Sequence, residues 1–232
     1  MNKKNKLILF DIDGTLLSFA TNEKLHNRLC TAVNKTFNVN VKNEMIDING
    51  KPDKRIMIEL AGVAGISRSE VLNHLKQIYK NEIEYSKKNI KYYDARPAKG
   101  VVKLLQTLRK EKYPLGLITG NIKYLSKLKL EKTGLWKFFK TGAYGELSEN
   151  RTDLVNKVIA DSKKKFRTNF SKNNIFYFGD APLDIIAGNG AGIKVIAVAT
   201  GVVPITGLKK YKPAYLMKDM SDTKKIMKII ES

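Results

Sequence analysis

Three places in this chain put residues able to do chemistry directly after a short apolar run. Residues 7–17 read LILFDIDGTLL, so Asp11 and Asp13 follow Leu7, Ile8, Leu9 and Phe10 with one residue between them. Residues 113–121, YPLGLITGN, end in Thr119, Gly120 and Asn121, and residues 174–184, NIFYFGDAPLD, end in Asp180 and Asp184. Crowded carboxylates are costly unless a cation or a proton keeps them company. A hydroxyl beside backbone N–H groups that open a helix can hold phosphate oxygens. Taken singly, DIDGT and TGN are also ordinary turn sequences, because Asp, Asn, Gly and Thr are common turn residues. Their agreement in one chain points to a site.

The elements that must position these residues are legible from periodicity. Apolar runs without helical spacing, bounded by turn signals, read as strands buried on both faces of a parallel sheet. Residues 7–10, 113–118, 174–178 and 194–199 (KVIAVA, followed by Thr200 and Gly201) fit that pattern. Between them the spacing becomes helical. Val101, Val102, Leu104, Leu105 and Leu108 mark a helix over 97–110, Tyr124, Leu125 and Leu128 a second, and Leu154, Val155, Val158 and Ile159 a third that starts at Arg151. Residues 135–139, LWKFF, read as core, and residues 141–151, TGAYGELSENR, as a glycine-bearing connection. Alternation of this kind implies an α/β fold, a doubly wound parallel sheet of Rossmann-like form with right-handed crossovers. Ligands of such sheets bind beyond the carboxyl ends of the strands, where all three motifs fall.

Residues 18–96 break the alternation. Leu25, Leu29, Ala32, Val33 and Thr36 recur at helical spacing, as do Ile56, Ile58, Leu60 and Ala61, then Val71, Leu72, Leu75, Ile78 and Tyr79 behind an N-cap at Ser67 or Ser69. Residues 47–55, DINGKPDKR, carry Gly50 and Pro52 and read as a loop. A helical insert directly after a strand that carries the site reads as a cap. The expected organisation is a core of residues 1–17 and 97–232 with a cap of residues 18–96. Lys51, Asp53 and Arg55 on the cap loop are candidate substrate contacts, the alternative being a plain connection between helices.

The chain has 232 residues, 43% of them hydrophobic, enough for a sizeable core. No apolar run approaches the roughly 20 residues that span a bilayer, so no membrane partner is expected. The basic N-terminus leads into an apolar run far shorter than a signal peptide needs. One cysteine, Cys30, leaves no intrachain disulfide and fits a reducing compartment, so a cytoplasmic location is expected. The net charge of +21 comes from lysines spread along the whole chain, without a stripe of cations interleaved with aromatics. The densest cluster, SKKKFR at 162–167, reads as a solvated helix end, and nucleic acid is not the expected partner. The charge does favour the approach of anionic substrates. His26 and His74 lie outside every motif, in the helical insert.

In order and spacing, DIDGT, TGN, a basic residue and GDAPLD resemble the four motifs of the haloacid dehalogenase superfamily. With LGLITGN and AGIKVIAVATG, the chain is most similar to its phosphoglycolate phosphatase-like hydrolases with a helical cap. The resemblance implies that Asp11 is the nucleophile that forms an aspartyl-phosphate and that Asp13 is the general acid and base. It implies a phosphate site of Thr119, Gly120, Asn121 and Arg151, Lys157 being the alternative to Arg151. It implies a Mg2+ site formed by Asp11, the Asp13 backbone carbonyl, Asp180 and Asp184, the last directly or through water. An all-oxygen donor set without His or Cys suits that ion. The position of the cap loop matches the family's specificity loop, where Lys51, Asp53 and Arg55 stand. An acid at Asp13 points to phosphoryl transfer rather than dehalogenation. The expected activity is hydrolysis of a small phosphate monoester, of the phosphoglycolate, sugar phosphate or nucleotide class, by a monomer or homodimer. The alternatives are a phosphomutase of β-phosphoglucomutase type and a non-catalytic basic binding protein on the same fold.

Overall fold

Leu7–Phe10 forms strand β1, and every one of its side chains is buried. Ile8 and Phe10 join one hydrophobic cluster and Leu7 and Leu9 another, so the strand is covered on both faces. The same alternation holds in β4, Ile175–Gly179, and in β5, Lys194–Val198. The computed structural model describes residues 5–18 and 23–232.

Six parallel strands make one sheet in the order β3-β2-β1-β4-β5-β6, with β2 at Leu115–Ile118, β3 at Thr141–Ala143 and β6 at Tyr215–Met217. Register pairs Leu9 with Gly116 and with Tyr177, which sets the ends of β1, β2 and β4 side by side. The rings of Phe10 and Phe178 stack at 4.7 Å across that seam. The helices that follow the cap insertion are α5 (Val101–Lys110), α6 (Lys123–Lys132), α7 (Arg151–Phe166), α8 (Pro182–Ala191), α9 (Ile205–Lys209) and α10 (Thr223–Glu231).

The edge strands β3 and β6 lie in stretches where the sequence pattern shows no strand. Each is three residues long and only partly buried, too short to display an alternation. Helix α5 begins at Val101, later than its pattern suggests, because Gly100 at its N-cap has φ +86°. Val102 on that helix is 42% exposed, so it lies outside the buried face assigned to it by spacing.

The insert holds α1 (Glu23–His26), α2 (Arg28–Phe37), α3 (Asp53–Val63) and α4 (Arg68–Asn89), the last capped by the Ser67 hydroxyl. Leu29, Val33, Met57, Leu60, Val71 and Ile78 pack as a separate apolar cluster. The chain leaves and re-enters the core side by side, with Ser18 N–H donating to Arg96 C=O (2.8 Å) and Ala98 N–H to Leu16 C=O (2.9 Å). Helix α3 starts at Asp53, so residues 53–55 form its first turn rather than loop. That turn sits directly on the core: Asp53 N–H donates to Gly120 C=O at 2.7 Å. A Cβ on Gly145 would come within 1.7 Å of that carbonyl oxygen, so this approach requires glycine.

Candidate active site

The carboxyl ends of β1, β2 and β4 open into one cavity of about 250 Å³, roofed by residues from α1, α2 and the loop before α3. Asp11, Asp13, Thr119, Gly120, Asn121, Arg151, Asp180 and Asp184 all line it.

Arg151 is brought there by the start of α7, where the Asn150 side chain caps the helix by accepting from Thr152 N–H at 2.8 Å. As the first helical residue it points inward and is buried. Its Nη2 lies 2.6 Å from Asp11 Oδ1 and 2.5 Å from Asp184 Oδ1, and its Nη1 donates to Gly50 C=O at 3.0 Å. The alternative basic residue, Lys157, is turned to the surface and paired with Asp161.

Asp11, Asp180 and Asp184 each bring a carboxylate oxygen within 4.8 Å of the others. Burial, then the charges of Asp184 and Asp13, outweigh Arg151 and push the Asp11 carboxyl up to about 7. Burial, then Asp11 and Asp184, hold Asp180 well above the carboxylate range. Three buried carboxylates this close together, two of them so destabilised as anions, fit a bound cation, and an all-oxygen set suits a hard divalent one. The donors differ in availability. Both oxygens of Asp184 are engaged, Oδ1 by Tyr177 and Arg151 and Oδ2 by the N–H groups of Asp180 and Ala181. Asp180 is held through Oδ1 by the Thr15 hydroxyl at 2.7 Å. Asp11 and Asp180 are therefore the carboxylates with an oxygen more available to a cation, and Asp184 could reach one through a water.

Asp13 is surrounded by donors. Lys129 Nζ reaches both carboxylate oxygens, at 2.9 and 2.7 Å. Asn121 Nδ2 donates to Oδ2 at 2.6 Å and the Tyr93 hydroxyl to Oδ1 at 3.2 Å. Burial alone would raise the Asp13 carboxyl, but Lys129 and Asn121 override it and hold it below its ordinary value. Thr119 Oγ1 accepts from Asn121 N–H (3.2 Å) and Asn121 Nδ2 (3.0 Å), so its own O–H remains to donate to an anion.

The cap loop residues are placed differently from one another. Lys51 and Asp53 line the cavity, but Lys51 Nζ is paired with Glu59 at 2.6 Å. Asp53 is a docking residue: Arg28 binds its Oδ1 at 2.5 Å and Ile122 N–H, at the start of α6, donates to its Oδ2 at 3.0 Å. Arg55 is turned away, half-exposed and bonded to Glu59 at 2.7 Å. Of the three, Lys51 and Asp53 reach the cavity and Arg55 does not, a difference that the spacing of charges in the sequence does not reveal.

Sequence reasoning passed over Lys129, Arg28, Tyr93 and Tyr177. Lys129 was findable: it stands four residues after Leu125 and one before Leu130, on the buried face of α6. Arg28 follows Leu25 by three residues and completes a bridge from Glu82 (3.0 Å) to Asn121 Oδ1 (3.1 Å). His26, which no motif includes, lines the cavity, whereas His74 sits edge-on to Phe37.

The chain is also similar in sequence and in fold to known proteins. The family model described as "Haloacid dehalogenase-like hydrolase" matches residues 8–198. Pyrophosphatase PpaX of Listeria monocytogenes serotype 4b is 27% identical over 228 residues, covering 96% of each chain. A predicted phosphatase from Clostridium acetobutylicum has a similar fold, with a TM-score of 0.70 and 21% identity over 97% of this chain and 99% of that one. A predicted phosphoglycolate phosphatase from Haemophilus somnus has a TM-score of 0.67 at 20% identity, covering 97% of this chain and 98% of its own.

Proposed function

We propose, from the premise that this chain belongs to the haloacid dehalogenase-like hydrolase family, that it is a magnesium-dependent phosphatase acting through an aspartyl-phosphate on Asp11. The observation that carries this reading is the grouping of Asp11 with Arg151, Asp180 and Asp184 in one buried cluster, beside Asp13 and Thr119.

Arg151 engages Asp11 through Oδ1, which leaves Oδ2 to attack phosphorus. The bond from Oδ2 to phosphorus forms as the bond from phosphorus to the leaving oxygen breaks. The Thr119 hydroxyl, backbone N–H groups at Gly120 and the Arg151 guanidinium surround the transferring group, where negative charge spreads over its equatorial oxygens. Asp13, a carboxylate in the free site, takes up a proton as the anionic substrate binds beside it, hands that proton to the leaving oxygen and then takes one from the water that cleaves the acyl phosphate. Lys129 and Asn121 hold its carboxylate in place between those events. A magnesium ion held by Asp11, the Asp13 carbonyl and Asp180, with Asp184 behind a water, would neutralise charge on the phosphoryl group.

Residues 1–17 and 97–232 act in this scheme as the catalytic unit and residues 18–96 as its cap. The cavity of about 250 Å³ admits a small substrate, a phosphate monoester of the phosphoglycolate, sugar phosphate or nucleotide class. The relatives named as pyrophosphatases make inorganic pyrophosphate a second substrate to test. A mutase needs a sugar hydroxyl where this reading puts water, and the phosphate-release assay separates the two. Wild type with magnesium should release phosphate from at least one small monoester or from pyrophosphate. EDTA or Asp11→Asn should stop it. A folded wild type that releases none, but interconverts sugar phosphates, would establish the mutase instead.

A further inference from the structure

A second cavity, of about 490 Å³, opens at the opposite end of the sheet from the catalytic residues. Its floor is apolar: Tyr113, Pro114 and Leu115 at the entry to β2, with Phe138 and Phe166. Its rim is cationic: Arg109, Lys112, Lys137, Lys140 and Lys165. These five come from four stretches of chain, namely the end of α5, the turn after it, the segment before β3 (Lys137 and Lys140) and the end of α7. Among the described residues, no Asp or Glu lines the cavity.

Part of this is ordinary. Arg109 and Lys165 sit in the last turns of α5 and α7, where cations complement the helix dipole. That does not account for Lys112, Lys137 and Lys140, which lie outside those helices. Lys112 has φ +61°, a left-handed conformation that glycine or asparagine adopts more easily. The Arg109 guanidinium lies 5.7 Å and the Lys137 ammonium 5.8 Å from the Phe138 ring centre, which gathers charge around an aromatic surface. The basic run at 162–167 thus contributes Lys165 and Phe166 to a concave site, beyond being a solvated helix end.

We infer that this cavity binds a small organic polyanion with a flat apolar body, the chemistry of a nucleoside di- or triphosphate. An apolar floor takes the base while the cations meet the phosphates. The volume lies in the range of small-molecule sites, and concavity suits a free nucleotide better than a strand of nucleic acid. Strand β2 runs from Leu115 on this floor to Ile118, next to Thr119, so the two sites lie about 13 Å apart at the usual rise per residue.

The test is a calorimetric titration in EDTA with the non-hydrolysable β,γ-imido analogue of ATP, using wild type and the double variant Lys112→Glu, Lys140→Glu. Both lysines are exposed, so the variant should keep the wild-type melting temperature and its turnover of a small monoester. Saturable binding of one nucleotide per chain is expected, weakened at least about tenfold by the double charge reversal. Tripolyphosphate, with the same anion and no apolar body, should bind about tenfold more weakly than the nucleotide. The inference is overturned if wild type shows no saturable binding, or if the double variant binds as wild type does. Equal affinity for tripolyphosphate, or tighter binding of a single-stranded oligonucleotide, would overturn the nucleotide class.

Discussion

The guanidinium of Arg151 bridges two aspartates far apart in the chain, 2.6 Å from Asp11 just after β1 and 2.5 Å from Asp184 in the first turn of α8. One cation thereby fixes Asp11, the proposed nucleophile, relative to Asp184, and it is itself buried.

Removing it should damage both chemistry and fold. Arg151→Ala is expected to cut kcat by about 10²–10³ or more, the usual scale for a lost electrostatic donor. It should also cost about 3–5 kcal/mol of stability, because buried carboxylates lose their partner. Arg151→Lys should recover part of the stability, since a charge remains without the second donor arm. Steady-state kinetics and denaturant melts read both effects. Wild-type turnover in Arg151→Ala would remove Arg151 from the site's chemistry.

If the crowded aspartates hold a divalent cation as proposed, the fold should respond to it. Magnesium at about 100 times its dissociation constant should stabilise the wild type by about 2.7 kcal/mol. Asp180→Asn should abolish that response. Without metal this variant should be at least as stable as wild type, because one of three mutually repelling buried acids is gone. Thermal melts with magnesium and with EDTA decide it, and a magnesium response retained in Asp180→Asn would refute the ligand assignment.

Lys129 bonds both oxygens of Asp13 from the buried face of α6. Lys129→Met should lower kcat by about 10–100-fold with little change in KM, if Asp13 transfers protons as proposed and Lys129 does not touch substrate. Lys129→Arg should be less impaired. A raised KM with unchanged kcat would make Lys129 a substrate contact instead.

Glu82 gives a pH dependence of known sign. Burial first, then Asp53, outweigh the Arg28 guanidinium and lift its carboxyl from 4.5 to about 8. The folded protein therefore holds this proton more tightly than the unfolded chain does. Its stabilising contribution is complete below pH 4.5 and is lost as pH rises through about 8. Glu82→Gln should flatten the fall in stability across that window, measured by urea melts at several pH values. An identical slope in the variant would show that Glu82 is not the group responsible.

The fold's central strands and the motif residues were legible because they obey strong local rules. Runs such as Leu7–Phe10, four residues long and ended by turn signals, read as strands buried on both faces, and Asp11, Thr119 and Asp180 follow such runs directly. Arg151 was legible only through the family's motif order, since an arginine at a helix start is commonly exposed. The short edge strands β3 and β6 carry too few residues to show a period. Charge pairing was the other blind spot. Asp53 and Arg55 looked alike in sequence, yet one is locked under Arg28 and the other bonds Glu59 toward solvent. Which partner consumes a charge depends on contacts between segments far apart in the chain, such as Arg28 with Glu82.

The central claim is that Asp11 carries the phosphoryl group. The direct test is a rapid acid quench with a 32P-labelled substrate and magnesium. Wild type should yield protein-bound, hydroxylamine-labile phosphate on the peptide containing Asp11, and Asp11→Asn should yield none. Turnover without any label on the protein, or label retained in Asp11→Asn, would contradict the account.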